Sequence, residues 1–273
     1  MKVAFWENLR RGARETDDMA AISIMLSIHY HKKVILLDNG QESDSLERVF
    51  RGIHRFYYVK EDSNYIVHRH GMDQILNNLH ITSDIQPLLA HSAVEVIQDY
   101  LYYVPESKVI NHLAYDYELY HELTKIIRTY ENISDFIMIR ARNGNHLSTK
   151  HVLDEADLVM VELSQDFDEL DEFFDNYSSI RHKAIFVFSQ YKLNSISIYQ
   201  IMNKYRIKKE QIVVITEHLP MSAACIGGNL VSYLKGNNNC SKGSEHYRCV
   251  RELRRAARMI LRQERGDLLE TIS

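Results

Sequence analysis

The feature that most constrains the fold is a series of short, continuous apolar runs separated by longer helical segments. Strands are predicted at Val3 to Trp6, Lys33 to Asp38, Asp135 to Ile139, Asp157 to Leu163, Lys183 to Phe188 and Gln211 to Ile215. Strands that are apolar along their whole length are typical of parallel sheets buried on both faces. Their alternation with helices predicts an α/β fold: a doubly wound, mostly parallel sheet with helices on both faces.

The segments between these runs have helical patterns. A helix over Met19 to His29 is apolar almost all round, which predicts that it is deeply buried. The charged stretch before it, Glu7 to Asp18, is predicted to be a loop. Further helices are predicted at 71–79, 85–89, 111–131, 167–177 and 196–205, and strand pieces at Phe56 to Val59 and Leu101 to Val104.

The composition changes near residue 235. Residues 1–235 are predicted to form the α/β domain. Residues 236–273 are predicted to form a loop and a C-terminal basic amphipathic helix that packs on the domain or extends from it. One face of this helix carries Arg251, Arg254, Arg255, Arg258 and Arg262, and the other carries Val250, Leu253, Ala257, Ile260 and Leu261. The interpretations are docking on the protein's own body, contact with an anionic membrane, and nucleic-acid binding.

Charge and composition argue against several classes of function. The formal net charge of −4 gives no global reason to expect nucleic-acid binding, so we expect none. The histidine pairs His29/His31 and His68/His70 have no third ligand in a matching motif, so we expect no metal site. The three cysteines lack the close spacing of a zinc site, and we expect reduced thiols: Cys225, Cys240 and Cys249. No apolar run approaches the roughly 20 residues of a membrane span and no signal-peptide pattern is present, so we expect a cytoplasmic protein.

A strand, a loop and a buried helix at the N-terminus are typical of a phosphate-binding loop, in which backbone N–H groups surround the phosphates. Here the arrangement resembles the deviant Walker motif of MinD/ParA ATPases, Lys-Gly-Gly-Val-Gly-Lys-Thr. Laid without gaps, that motif falls on Arg10, Arg11, Gly12, Ala13, Arg14, Glu15 and Thr16, and Asp17 follows it. The resemblance implies that these residues, Glu15 excepted, are the candidate nucleotide-binding residues.

Glu15 stands at the position of the family's main phosphate-binding lysine. A carboxylate about 4 Å from a phosphate repels it by about 1 kcal/mol in water and about 4 kcal/mol at the effective dielectric near a protein surface. Arg14 also replaces a glycine that lets the backbone curl around phosphate. We therefore expect no tight nucleotide binding in the usual pose. Either Arg10, Arg11 and Arg14 attract a phosphate in another pose, or they are solvated charges or partner contacts.

Two further positions carry the resemblance. Asp38, at the end of the second strand, is the counterpart of the acid that orients the attacking water. The family's magnesium-shell aspartate falls on Arg140, at the end of the run that begins at Ser134. At both positions, Glu15 and Arg140 carry a charge opposite to that of the family's residue. We therefore expect no catalytic residues, only the degenerate counterparts Glu15, Asp38 and Arg140, and no efficient ATP hydrolysis.

Within this family the chain is most similar to the TadZ/CpaE-like proteins, atypical ATPases of Flp-type (Tad) pilus systems. That resemblance implies a scaffold or localisation factor that binds protein partners and forms a homodimer through the old nucleotide face. It also implies either no cofactor or weakly bound ATP or ADP. The alternatives are an atypical ATPase with altered phosphate contacts, and a membrane-associated adaptor that uses the C-terminal helix.

Overall fold

An eight-stranded sheet forms the centre of the protein. The computed structural model describes residues 1–7, 14–39, 46–51, 71–79, 81, 85–107, 111–144, 146–264 and 266. The strands are β1 (Lys2–Glu7), β2 (Val34–Asp38), β3 (Val94–Ile97), β4 (Leu101–Val104), β5 (Phe136–Ala141), β6 (Leu158–Leu163), β7 (Ala184–Tyr191) and β8 (Ile212–Thr216). Their order across the sheet is β3-β4-β2-β5-β1-β6-β7-β8. All neighbours are parallel except the edge pair β3 and β4.

Helices cover both faces of this sheet, which confirms the predicted α/β class. They are α1 (Glu15–Tyr30), α2 (Leu46–Arg51), α3 (Met72–Asn78), α4 (Ile85–Ser92), α5 (His112–Glu131), α6 (Leu147–Glu155), α7 (Phe167–Asn176), α8 (Ile198–Tyr205), α9 (Leu219–Ile226), α10 (Leu230–Asn237) and α11 (Tyr247–Glu264). Short 3₁₀ turns cover Ser178–Lys183 and Lys209–Gln211. None of the helices in these ranges is long and apolar enough to cross a bilayer.

The central strand β1 contributes to two separate apolar cores, one on each face of the sheet. Val3 and Phe5 pack into the core formed with α1, α2, α9, α10 and α11. Ala4 and Trp6 pack into the core formed with the helices from α3 to α8. This split follows from the alternation of side chains along a strand, and it explains why the strand is apolar at every position.

The first helix begins earlier than the sequence predicts. Glu7 is the last residue of β1, and Glu15 to Asp18 form the first turn of α1, so the predicted loop was wrong at both of its ends. Acidic side chains in a first turn are favoured by the positive end of the helix dipole. The prediction of deep burial is confirmed, because every residue from Glu15 to Ser27 is buried.

The C-terminal helix α11 packs against α1 and β8 through its apolar face. Val250, Leu253, Ala257 and Ile260 are at most 1% exposed, whereas Leu261 only borders the core. Four of the five arginines of the basic face are exposed: Arg251, Arg255, Arg258 and Arg262. The guanidinium Nη2 of half-buried Arg254 donates to Asn238 Oδ1 at 3.0 Å.

The remaining sequence predictions have mixed outcomes. Leu101 to Val104 is a strand, as predicted, whereas Phe56 to Val59 lies outside the described residues. The edge strand β3 was not predicted. Its four residues are Val, Glu, Val and Ile, and only the last is buried, so the signal for a strand is weak. The predicted loop at 236–243 was wrong at its start, because α10 continues to Asn237.

Candidate functional site

The candidate site lies where the central strands end and α1 begins. Asp38 is the last residue of β2 and is in register with Arg140 of β5. Glu7 is the last residue of β1 and is in register with Glu162 of β6. In open α/β sheets this carboxyl edge is where ligands bind. The fold therefore brings the candidate residues of the first helix and of two strands to one place.

The guanidinium of Arg140 joins two of the other candidate residues. Its Nε donates to Asp38 Oδ1 at 2.6 Å, and its Nη1 donates to Thr16 Oγ1 at 2.8 Å. All three residues are buried, with Arg140 6% exposed, Asp38 1% and Thr16 0%. An ion pair this deeply buried is maintained only when the charges compensate each other with good geometry. Arg140 therefore acts as a fixed internal cation between β2 and α1.

The surrounding charges keep Arg140 ionised. Burial by itself lowers the pKa of Arg140, but the carboxylates of Asp38 and Glu15 outweigh it, so the net pKa is raised. Glu15 is itself buried, at 4% exposure. The buried carboxylate of Glu15 therefore contributes negative charge to the environment of the Arg140 guanidinium.

Asp38 also holds the start of a neighbouring helix. Its second oxygen, Oδ2, accepts a hydrogen bond from the backbone N–H of Leu46 at 3.2 Å. Leu46 is the first residue of α2. One carboxylate thus serves both the guanidinium and a helix N-terminus, where a negative charge is favourable.

The other predicted nucleotide-binding residues are only partly within the described structure. Arg10, Arg11, Gly12 and Ala13 lie outside the described residues. Arg14 precedes α1, and its Nη1 donates to Ser222 Oγ of α9. Asp17 is 5% exposed, and its Oδ1 forms an ion pair with Arg48 Nη2 of α2 at 2.7 Å.

The N-terminus of α6, beside the site, is already hydrogen-bonded to a carboxylate of the protein. The carboxylate of Asp116 on α5 accepts hydrogen bonds from the backbone N–H groups of Leu147 at 3.0 Å and of Ser148 at 3.1 Å, at the start of α6. Asn39 Nδ2 donates to Ser148 Oγ at 2.9 Å, which links this helix to the end of β2. The N-terminus of α6 is therefore capped by the protein itself.

Sequence reasoning missed a pair of buried carboxyl groups next to the ion pair. Asp18 on α1 and Glu162 on β6 are 1% and 5% exposed, and the Ser189 hydroxyl donates to Asp18 Oδ2. Burial raises the pKa of Asp18 to about 7 against the opposing hydrogen bonds of Ser189 and Glu162. Burial and the neighbouring acid Asp18 raise the pKa of Glu162 well above its usual value. Both shifts favour the protonated form of these buried acids.

No group of three histidine, cysteine, aspartate or glutamate side chains that could hold a metal ion occurs in the described part of the chain. The imidazole of His29 makes an edge contact with Tyr30, and His31 lies against Tyr100. His68 and His70 lie outside the described residues.

We predict that removing the guanidinium from the ion pair is costly and that removing both partners costs less than the sum. Arg140→Met should lower the free energy of unfolding by about 3–5 kcal/mol, because it leaves the Asp38 carboxylate buried without its cation. In Arg140→Met/Asp38→Asn much of that loss should be recovered. Urea unfolding of both single variants and the double variant measures this coupling. Arg258→Met, at an exposed position, should change stability by less than about 0.5 kcal/mol, and strictly additive losses would contradict the pairing.

We also predict a stability profile governed by Asp18. Its pKa is raised in the folded state from 3.8 to about 7. The stabilisation from binding this proton is therefore full below about pH 4, falls as the pH rises, and is lost above about pH 7. Asp18→Asn, which keeps an acceptor for Ser189, should flatten this decline between pH 4 and 7 in thermal unfolding. Asp175→Asn, at an exposed acid, should leave the profile as it is; an Asp18→Asn profile identical to wild type would contradict the assignment.

The comparisons with known proteins were made by sequence and by structure. No protein-family model matches the chain, and no curated protein is similar to it in sequence. A ParA family ATPase from Chlorobium tepidum TLS superposes with a TM-score of 0.70 at 12% identity, over 94% of this chain and 98% of that one. MinD of Pyrococcus horikoshii OT3 complexed with Mg-ADP gives 0.67 at 15% identity, over 95% of each chain.

A third similar structure is the MinC:MinD cell division protein complex of Aquifex aeolicus, with a TM-score of 0.66 at 14% identity over 95% of each chain. At such identities the similarity shows the fold alone. The protein has the α/β fold of the MinD/ParA P-loop ATPases.

Proposed function

We propose that this protein is a degenerate member of the MinD/ParA ATPases: a non-hydrolysing pseudo-ATPase that acts as a scaffold or localisation factor. The observation that carries the proposal is the contact of the Arg140 guanidinium with both Asp38 and Thr16. By resemblance to the family, the hydroxyl of Thr16 and the acid replaced by Arg140 belong to the magnesium shell, and Asp38 belongs to the water-positioning group.

Magnesium does not fit this arrangement of residues. Mg²⁺ requires oxygen ligands at about 2.0–2.1 Å in near-octahedral geometry. Here the side-chain oxygens of Thr16 and Asp38 are bonded to a cation already. A divalent ion about 4 Å from a guanidinium would be repelled by roughly 8 kcal/mol at the effective dielectric near a protein surface.

A triphosphate does not fit either. Buried Glu15 stands where the family's lysine neutralises the terminal phosphates, and the buried acids Asp18 and Glu162 lie close to it. In an atypical ATP-binding pose, Arg10, Arg11 and Arg14 would have to supply the positive charge. The Arg14 guanidinium is bonded to Ser222, so it would have to leave that partner.

The membrane-surface alternative is weakened by the packing of α11. A helix that lies on a bilayer inserts large apolar side chains between the lipids. In this protein Leu253 and Ile260 of that face are both 0% exposed in the packing of α11 against α1 and β8, and Leu261 is half-buried. The charged face is therefore the main surface that remains for an anionic membrane.

The scaffold role is supported by apolar side chains exposed along the carboxyl edge of the sheet. Leu113 lies in the first turn of α5 after β4, Leu147 begins α6 after β5, Leu193 follows β7 and Leu219 begins α9 after β8. Their exposures are 80%, 50%, 72% and 73%. We take these four side chains as the candidate protein–protein contact surface, because exposed apolar side chains that lie together mark such contacts. We propose that this edge forms the homodimer interface and that the protein serves a Flp/Tad-type pilus or secretion assembly, as the TadZ/CpaE-like resemblance implies.

We predict that the protein neither binds nor turns over Mg·ATP. Isothermal titration with Mg·ATP up to about 1 mM should give no saturable heat, so any Kd lies above this range. Phosphate release should not exceed that of the Glu15→Ala/Arg140→Ala variant. Turnover in the wild type that disappears in this variant would contradict the proposal.

We predict a dimer that depends on the carboxyl edge. Leu147→Glu/Leu219→Glu should convert a micromolar dimer into a monomer in sedimentation velocity, because two buried charges in an interface core are not compensated. Ile226→Glu is the matched control, since Ile226 is 53% exposed but lies at the far end of α9. A wild-type monomer, or equal dissociation in the control, would refute this interface.

A further inference from the structure

Three polar side chains meet where the segments leading into α9 and α11 approach α10, and none of them is a candidate nucleotide-binding residue. His218 directly precedes α9, Tyr233 lies on α10, and His246 directly precedes α11. The distance from His218 Nε2 to Tyr233 Oη is 2.8 Å. The distances from His246 Nδ1 to Tyr233 Oη and to His218 Nε2 are both 3.2 Å. Each atom is thus within 3.2 Å of the other two.

This triangle has the size of one face of a tetrahedral coordination shell. With metal–nitrogen bonds of about 2.0–2.1 Å, neighbouring ligands of a tetrahedral ion are about 3.3 Å apart. A point about 2 Å from all three atoms therefore exists about 1 Å out of their plane. The three side chains do not need to separate by more than a few tenths of an ångström to admit an ion there.

One of the two imidazoles has a carboxylate near its outer nitrogen. Glu245 Oε1 lies 3.5 Å from His246 Nε2, the ring nitrogen that faces away from the triangle. Carboxylates near the outer nitrogen are common partners of metal-binding histidines.

We propose that His218 Nε2, His246 Nδ1 and Tyr233 Oη bind a divalent first-row transition-metal ion such as Zn²⁺, and that the Tyr233 phenol releases its proton to water when the ion binds. Imidazole nitrogens suit Zn²⁺, Cu²⁺ and Ni²⁺, and the fourth position faces out of the triangle and takes a water molecule. Each of the three side chains is half-buried, so an ion can enter from solvent. The histidine pattern in the sequence does not reveal this site, because the third donor is a phenol on a separate helix.

The ion would join the segments that lead into α9 and α11 to the middle of α10. It would therefore hold the C-terminal helix to the body of the protein. Because ligands that bind only the folded state raise its stability, Zn²⁺ should raise the melting temperature. This site is independent of the proposed pseudo-ATPase role, since it shares no residue with it.

The test uses the full chain, stripped of metal with a chelator and titrated with Zn²⁺ alone. We expect one Zn²⁺ per chain in isothermal titration, an increased melting temperature, and the visible spectrum of tetrahedral Co²⁺ when Co²⁺ replaces Zn²⁺. His218→Ala and His246→Gln should each weaken Zn²⁺ binding at least tenfold and abolish the thermal shift. Tyr233→Phe, which keeps the ring, should weaken binding by a smaller factor.

The controls separate this site from other metal-binding groups. His182→Ala, at an exposed histidine elsewhere, and Cys240→Ser should both bind Zn²⁺ as the wild type does. Circular dichroism of each metal-free variant establishes that it is folded before titration. The absence of saturable Zn²⁺ binding in the wild type, or binding that persists unchanged in folded His218→Ala and His246→Gln, would overturn the proposal.

Discussion

The organisation of the site depends on one buried ion pair, between the Arg140 guanidinium and the Asp38 carboxylate. The 2.6 Å contact lies at the carboxyl edge of two adjacent strands, and the same two groups reach Thr16 on α1 and the backbone of Leu46 on α2. Removing either charge leaves the other buried and uncompensated, which is among the costliest defects in a folded protein. The pair therefore links β2, β5, α1 and α2.

The role of this cation differs from that of a bound metal in one physical respect. A divalent ion with its nucleotide associates and dissociates, and so can change the state of the protein. A guanidinium on β5 is always present. Under the proposed function, Thr16 and Asp38 are held in one arrangement permanently, which suits a scaffold and not a switch. Under the same proposal, the exposed leucines at this edge form the surface that contacts the partner protein.

Much of the fold could be predicted from the sequence, because continuous apolar strands and long helices are local patterns. The sequence also predicts that Glu15 and Arg140 reverse the charges of the family's motif, and this stays a prediction. The ion pair between Arg140 and Asp38 could not be predicted, because it depends on the register that places Asp38 beside Arg140 on the neighbouring strand. The sequence predicts that Arg140 opposes magnesium binding, and the structure adds that its guanidinium is hydrogen-bonded to Asp38 and Thr16.

Two other features were missed for the same reason. Asp18 looked like part of a charged loop, but α1 begins before it and buries it against Glu162, a residue more than a hundred positions away. His218 and His246 are separated in sequence by two helices, α9 and α10, and the phenol between them carries no metal-binding signature. Long-range packing decides the chemistry of such groups, and local patterns do not encode it.

The most direct test of the central claim is a crystal structure determined from protein grown with excess Mg·ATP. The account predicts that the Arg140 guanidinium remains bonded to Asp38 and Thr16, with no triphosphate or magnesium density at the start of α1. Ordered triphosphate cradled by residues 10–16, with Arg140 displaced from Asp38 and Thr16, would contradict it.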